Sequence, residues 1–246
     1  MLAQLPDGFT AVVTGAGGGI GAAVIDALLA SPRPGRVIGV GRRTPRRDDP
    51  RFEGLALALD DEHGRQALAA HLGEAPLHLL FNAIGLLHDE GRGIHPEKRL
   101  DDLDPTALAR LFEINAILPA MLLQALQPAF KGRHPVLVGS LSARVGSIGD
   151  NRLGGWYAYR ASKAAHNMLM STAAVELRRL NRESIVVCLH PGTTDTPLSA
   201  PFQARVPEGK LFTPAFVAER MLAVLGERTP EESGSFYDWA GDPVAW

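Results

Sequence analysis

The sequence predicts an α/β fold, a single doubly wound domain with a mostly parallel sheet of about seven strands and helices on both faces. Short apolar runs alternate with longer helical stretches along all 246 residues. A parallel connection needs a crossover of about a dozen residues or more, which these stretches supply. The strand-like runs are also unbroken, as in Val136–Val138 and Ile185–Leu189, the pattern of strands buried on both faces.

The elements follow in order. Phe9–Val13 reads as a strand, Ile20–Ala30 as a helix and Arg36–Val40 as a second strand. Gly54–Leu59 reads as a third strand, Glu62–Leu72 as a helix and Leu77–Phe81 as a fourth strand. Asp104–Pro105 is an N-cap aspartate with proline in the first helical position, opening a helix towards Phe130 that Pro119 should kink. Val136–Leu141 is a strand, Tyr157–Leu180 a helix and Ile185–Leu189 a strand. Thr213–Pro214 repeats the cap-and-proline signal before a helix ending near Gly226, and Ser235–Trp239 forms a last strand. Arg42–Phe52, Leu86–Asp102 and Thr193–Phe212 remain irregular, and loops this long in one domain usually carry function.

Composition narrows the function classes. A chain of this size buries roughly three quarters of its unfolded surface without staples. Hydrophobic residues make up 46% and charged residues 21%, as in a globular protein rather than a disordered one. A formal net charge of −2 gives no electrostatic reason for a nucleic-acid or membrane partner. One cysteine, Cys188, excludes an internal disulfide and reads as an inert core residue. Eight histidines form neither H-x-x-x-H nor H-E-x-x-H, so no metal site is expected. The uncharged run Gly8–Ile25 is glycine-rich and Ile114–Phe130 carries two prolines, so neither reads as a membrane span. No targeting segment is evident, and a cytoplasmic protein is expected.

The first strand runs into Thr14-Gly15-Ala16-Gly17-Gly18-Gly19-Ile20-Gly21, which opens the first helix. Glycines there let the backbone turn tightly against a pyrophosphate that the helix N-terminus favours. The match is T-G-x-x-x-G-x-G through Gly15, Gly19 and Gly21 rather than G-x-G-x-x-G. After the second strand comes Gly41-Arg42-Arg43, where an NAD site would place a carboxylate for the ribose 2′-hydroxyl. Arginine forks suit a 2′-phosphate instead, so NADP(H) is expected over NAD(H). Further on, Tyr159 and Lys163 stand at i and i+4 on one helix face, one crossover after the serines Ser140 and Ser142. A free tyrosine titrates near about 10, and a nearby ammonium lowers it towards neutral.

With these motifs the chain resembles the short-chain dehydrogenase/reductase family over nearly its whole length. Asp60 falls where the family contacts adenine, and Asn82-Ala83-Ile84-Gly85 is similar to its N-N-A-G motif. Asn115 falls where the family has its catalytic asparagine, and Pro191-Gly192-Thr193-Thr194-Asp195-Thr196 resembles its P-G-x-x-x-T segment. Ser142–Asn167 looks most like a C-factor-type, carbonyl-reductase-like branch. The resemblance implies a Rossmann-like domain that interconverts a small-molecule carbonyl and an alcohol by hydride transfer. It implies Tyr159 as proton donor, Lys163 lowering its pKa and holding the cofactor ribose, Ser142 polarising the substrate oxygen and Asn115 positioning a water. It also implies a cofactor site of Gly15, Gly17, Gly19, Ile20, Gly21, Arg42, Arg43, Asp60, Asn82, Ala83, Gly85, Tyr159, Lys163, Pro191, Gly192, Thr194 and Thr196, and a homodimer or homotetramer. Ala143 occupies the place of the family's second serine, so Ser140 is the fallback for Ser142. A cofactor-binding sensor or interaction protein with little turnover is the alternative.

Overall fold

The structure, a computed structural model, describes residues 2–246. In chain order the elements are β1 (Phe9–Thr14), α1 (Gly19–Leu29), β2 (Pro34–Gly41), β3 (Phe52–Ala56), α2 (Glu62–Leu72) and β4 (Leu79–Asn82). Then follow α3 (Pro105–Phe112), α4 (Leu118–Phe130), β5 (Val136–Leu141), α5 (Tyr157–Leu180) and β6 (Ser184–His190). The short strands β7 (Thr193–Thr194) and β8 (Leu211–Phe212) precede α6 (Pro214–Gly226) and β9 (Ser235–Asp238).

Seven strands form one parallel sheet in the order β3-β2-β1-β4-β5-β6-β9. The order reverses between β1 and β4, so the crevice beyond their carboxyl ends is where such a sheet binds ligands. Successive strand residues face opposite sides, and the two faces carry separate cores. Val13, Phe81, Leu137 and Val187 pack with α1 and α6, through Val24, Ile25, Leu28, Met221 and Leu225. Val12, Leu80, Val138 and Cys188 pack with α2, α4 and α5, through Leu68, Leu122, Phe130, Met170 and Leu177. Burying one such side chain stabilises by about 1.5–3 kcal/mol, so both faces contribute heavily.

Several boundaries differ from expectation for physical reasons. β3 runs Phe52–Ala56 rather than Gly54–Leu59, because its one partner, β2, ends at Gly41 opposite Ala56. Leu59 is still buried in the core beyond the ladder, which is why the apolar pattern ran on. Asp60 therefore lies four residues past the strand end. β4 begins at Leu79, since Leu77 N–H bonds the Ala129 carbonyl of α4 instead of a strand.

The helix expected from Asp104 to Phe130 is interrupted. Glu113–Ile117 forms a π turn between α3 and α4, with Leu118 N–H bonded to the Glu113 carbonyl five residues back. Pro119 has no N–H to offer the Asn115 carbonyl four residues earlier, and its ring would crowd that oxygen. Widening by one residue relieves the clash, and such bulges concentrate at functional sites. The irregular stretch 193–212 contains the β7–β8 pair and a 3₁₀ turn over Ala200–Arg205.

Candidate active site

A cleft of about 1090 Å³ opens at the carboxyl edge of the sheet. At one end lies the N-terminus of α1, capped by no side chain and with no acidic residue in its first turn. Its free N–H groups and dipole favour an anion. The turn before it depends on two glycines. Gly15 has φ +74°, and a Cβ there would stand 2.8 Å from the Ala83 carbonyl carbon and oxygen. A Cβ on Gly21 would stand 2.2 Å from the Gly15 carbonyl oxygen, so α1 starts directly against the end of β1.

Of the expected cofactor residues, Gly19, Ile20, Gly21, Arg42, Ala83, Gly85, Pro191, Gly192, Thr194 and Thr196 line the cleft together with Tyr159 and Lys163. Gly15 and Gly17 do not line the cleft; Gly17 is exposed, and a Cβ on it would stand 2.6 Å from the Arg43 carbonyl oxygen. Arg43 is exposed and does not line the cleft. The Asp60 carboxylate instead pairs with Arg110 of α3 at 3.2 Å. Asn82 is turned into the sheet, where its Oδ1 accepts from Thr14 Oγ1 at 2.7 Å and its Nδ2 donates to Ser140 Oγ at 2.9 Å. That network ties the ends of β1, β4 and β5 together. It also consumes Ser140, which is buried outside the cleft, whereas Ser142 lines it.

The charged side chains lining the cleft include Arg42, Lys98, Arg144, Lys163 and Lys210, and among the described residues no carboxylate joins them. A chain of net charge −2 thus concentrates positive potential where phosphates would enter. Thr194 adds a buried hydroxyl with no hydrogen-bond partner. An unpaired buried hydroxyl is costly, and a polar ligand group in the cleft would satisfy it.

At the other end stands α5. Trp156, in the left-handed region at φ 53°, turns the chain into the helix, and its ring lies 6.2 Å from that of Tyr159. Glu97 holds this turn from the opposite loop. Its Oε2 accepts the Ala158 N–H at 3.2 Å, and its backbone carbonyl accepts the Trp156 N–H at 2.5 Å. Glu97 is buried, and its carboxyl oxygen takes up one of the N–H groups that a helix N-terminus leaves without a partner. Sequence reasoning missed it because a loop residue has no periodic signal.

Lys163 donates from Nζ to the Leu141 carbonyl at 2.9 Å, and Nζ stands 5.9 Å from the Tyr159 ring centroid. Gly85 leaves room beside it, since a Cβ there would be 3.7 Å from both Lys163 Nζ and Asn115 Oδ1. Asn115 itself is fully engaged. It exchanges two 2.8 Å hydrogen bonds with the Leu86 backbone and donates to Ser162 Oγ at 3.0 Å. Its side chain therefore clamps the β4 loop to the helices, outside the cleft lining.

Burial dominates the electrostatics. It pushes Lys163 down to about 8 and raises the Tyr159 phenol above its ordinary value. Burial is the cause of the rise, and the expected lowering of Tyr159 by Lys163 does not appear with Nζ 5.9 Å from the ring centroid. Burial likewise pushes the Cys188 thiol up to about 12, so it stays protonated. His190 is pushed down to about 4, by burial first and then by the Arg144 cation. His78 and His166 are also lowered by burial.

These histidines predict acid lability. Below the ordinary imidazole pKa of about 6.5 the unfolded chain takes up protons that the folded chain refuses, so stability falls as pH falls. For His190 the loss runs from about pH 6.5 to about pH 4 and amounts to at most about 3 kcal/mol. Urea unfolding across this range should show falling midpoints, and His190→Asn should flatten the slope. An unchanged slope in that variant would remove His190 from the account.

A family model described as "short chain dehydrogenase" matches residues 9–206. The chain belongs to the short-chain dehydrogenase family. This short-chain dehydrogenase is 33% identical over 181 residues to the C-signal of Myxococcus xanthus, covering 74% of this chain and 99% of that one. It is 33% identical over 184 residues to 1-hydroxy-2-glutathionyl-2-methyl-3-butene dehydrogenase of Rhodococcus sp. strain AD45, covering 74% of each. Its fold resembles that of NADPH-bound carbonyl reductase from chicken fatty liver, with a TM-score of 0.83, 26% identity and coverage of 98% and 100%. The short-chain dehydrogenase therefore falls in the carbonyl-reductase-like branch and is an oxidoreductase of the kind that uses a nicotinamide cofactor.

Proposed function

We propose that this short-chain dehydrogenase reduces a carbonyl to a secondary alcohol with NADPH. One observation carries the reading: Tyr159, Lys163 and Ser142 open into the same cleft as the free α1 N-terminus and Arg42. The residues fit the cofactor, since the cleft offers helix N–H groups, Arg42 without an ion pair among the described residues and the unpartnered Thr194 hydroxyl. When bound, the nicotinamide supplies the hydride.

The chain's own residues do the rest. The raised pKa keeps Tyr159 a neutral phenol, ready to give its proton as charge develops on the substrate oxygen. Lys163, anchored to Leu141, has two N–H groups left to hold a ribose and to meet the phenolate as it forms. Ser142 polarises the substrate oxygen. Trp156 and Phe202, with ring centroids 4.9 Å apart, wall the substrate end with aromatic surface. Ile117, Met168, Leu169 and Val175 expose apolar surface on the long helices, and we assign that surface to homo-oligomer contacts.

Titration with NADPH and NADH, read by energy transfer from Trp156, tests the cofactor. Arg42 is exposed, lines the cleft and forms no ion pair among the described residues, while Arg47 and Arg51 pair with Asp26 and Asp49. NADPH should bind more tightly, and Arg42→Ala should weaken it by about 10- to 100-fold while leaving NADH within about twofold, the worth of a charge-assisted contact. Equal loss for both cofactors would detach Arg42 from the 2′-phosphate. Binding without reduction of any carbonyl would favour the sensor reading, as does the donation of the Ser142 hydroxyl to Asn167 Oδ1 rather than towards the cleft.

A further inference from the structure

Ser142 follows directly after β5, and its N–H is fixed by the Leu189 carbonyl at 2.8 Å. Its hydroxyl donates to Asn167 Oδ1 at 2.5 Å. A hydroxyl has one proton, so in this arrangement the proton points away from the substrate. Asn167 lies one turn beyond Lys163 and two beyond Tyr159, so the three form a single stripe on α5. It is 2% exposed, and its Nδ2 has no hydrogen-bond partner.

A carboxamide can reverse this polarity. Turned over, it presents Nδ2 to Ser142 Oγ, and the serine proton is released towards the cleft. Each orientation leaves one half of the amide unpaired, so the interior favours neither strongly and an arriving oxygen can decide between them. A carboxylate could only accept and would keep the proton, while an aliphatic chain would leave the hydroxyl unheld.

We propose that Asn167 is the positioning residue for Ser142, its amide turning over to donate to Oγ so that the hydroxyl proton goes to the substrate oxygen. This rests on the role proposed for Ser142 above.

A double-mutant cycle tests it, with phenanthrene-9,10-quinone as probe because an aromatic dione suits the Trp156–Phe202 wall. Asn167→Leu and Asn167→Asp should each lower kcat about tenfold or more in the presence of Ser142, with a smaller change in KM. In Ser142→Ala the same substitutions should change kcat less than about twofold, because there is no hydroxyl left to aim. The Asp variant keeps the side chain's shape, so the cycle survives if the Leu variant does not fold. Without turnover, the infrared carbonyl stretch of the dione bound beside NADP⁺ should move to higher frequency in both variants. Equal kcat losses in both backgrounds, or an unmoved stretch, would overturn the role of Asn167 while leaving that of Ser142. Full kcat in Ser142→Ala alone would instead remove the serine, and this proposal with it.

Discussion

Tyr159→Phe should lower kcat for carbonyl reduction by about 10²- to 10⁴-fold, the usual worth of a positioned general acid. The dissociation constant for NADPH should change less than about twofold, since the cofactor is assigned to the α1 turn, Arg42 and Lys163. The ring keeps its packing against Trp156, so the variant should melt close to the parent temperature. Single-turnover reduction measured beside a cofactor titration separates the outcomes. Undiminished turnover would sink the mechanism, and a parallel loss of cofactor binding would make Tyr159 a binding residue rather than the acid.

Gly21→Ala should be the most damaging single methyl in the cofactor turn. Its Cβ would fall 2.2 Å from the Gly15 carbonyl oxygen, 2.8 Å from the Gly15 carbonyl carbon and 3.3 Å from the Ala16 nitrogen. All three are backbone atoms that no rotamer change can move aside, so α1 must shift off the end of β1. Overpacking of this kind costs about 1–3 kcal/mol and more when backbone is displaced. At roughly 2–4 °C per kcal/mol for a domain of this size, thermal unfolding should drop by several degrees. NADPH binding should weaken at least about tenfold, because misaligned N–H groups lose a charge-assisted contact. A variant with parental melting and binding would show that the turn tolerates displacement, and the close-approach argument would fall.

Asn115 and Ser142 show where sequence spacing stopped being informative. Asn115 was legible as a family landmark, yet its amide is spent on Leu86 and Ser162, 29 and 47 residues away in the chain. Pro119 carried the better clue, since a missing N–H four residues on points to the Asn115 carbonyl. Asn167 also had a signal, the second i+4 step along the Tyr159–Lys163 stripe, but its meaning needed Ser142, 25 residues distant, to be in contact. Asp60 was expected where the family contacts adenine, and its pairing with an arginine from α3 depends on a residue 50 positions away.

What the sequence alone determined is local. Unbroken apolar runs set the strands, prolines and aspartates set helix starts, the glycine turn followed from backbone geometry, and the i, i+4 spacing put Tyr159 and Lys163 on one face. The tertiary structure decided everything that depends on distant partners. It reversed the strand order beside β1, which places the cleft. It put Ser142 rather than Ser140 in the cleft lining, Ser140 Oγ accepting from Asn82 inside the sheet. It also raised Tyr159 rather than lowering it, because desolvation sums over every element packed around a side chain, and no local stretch of sequence contains that sum.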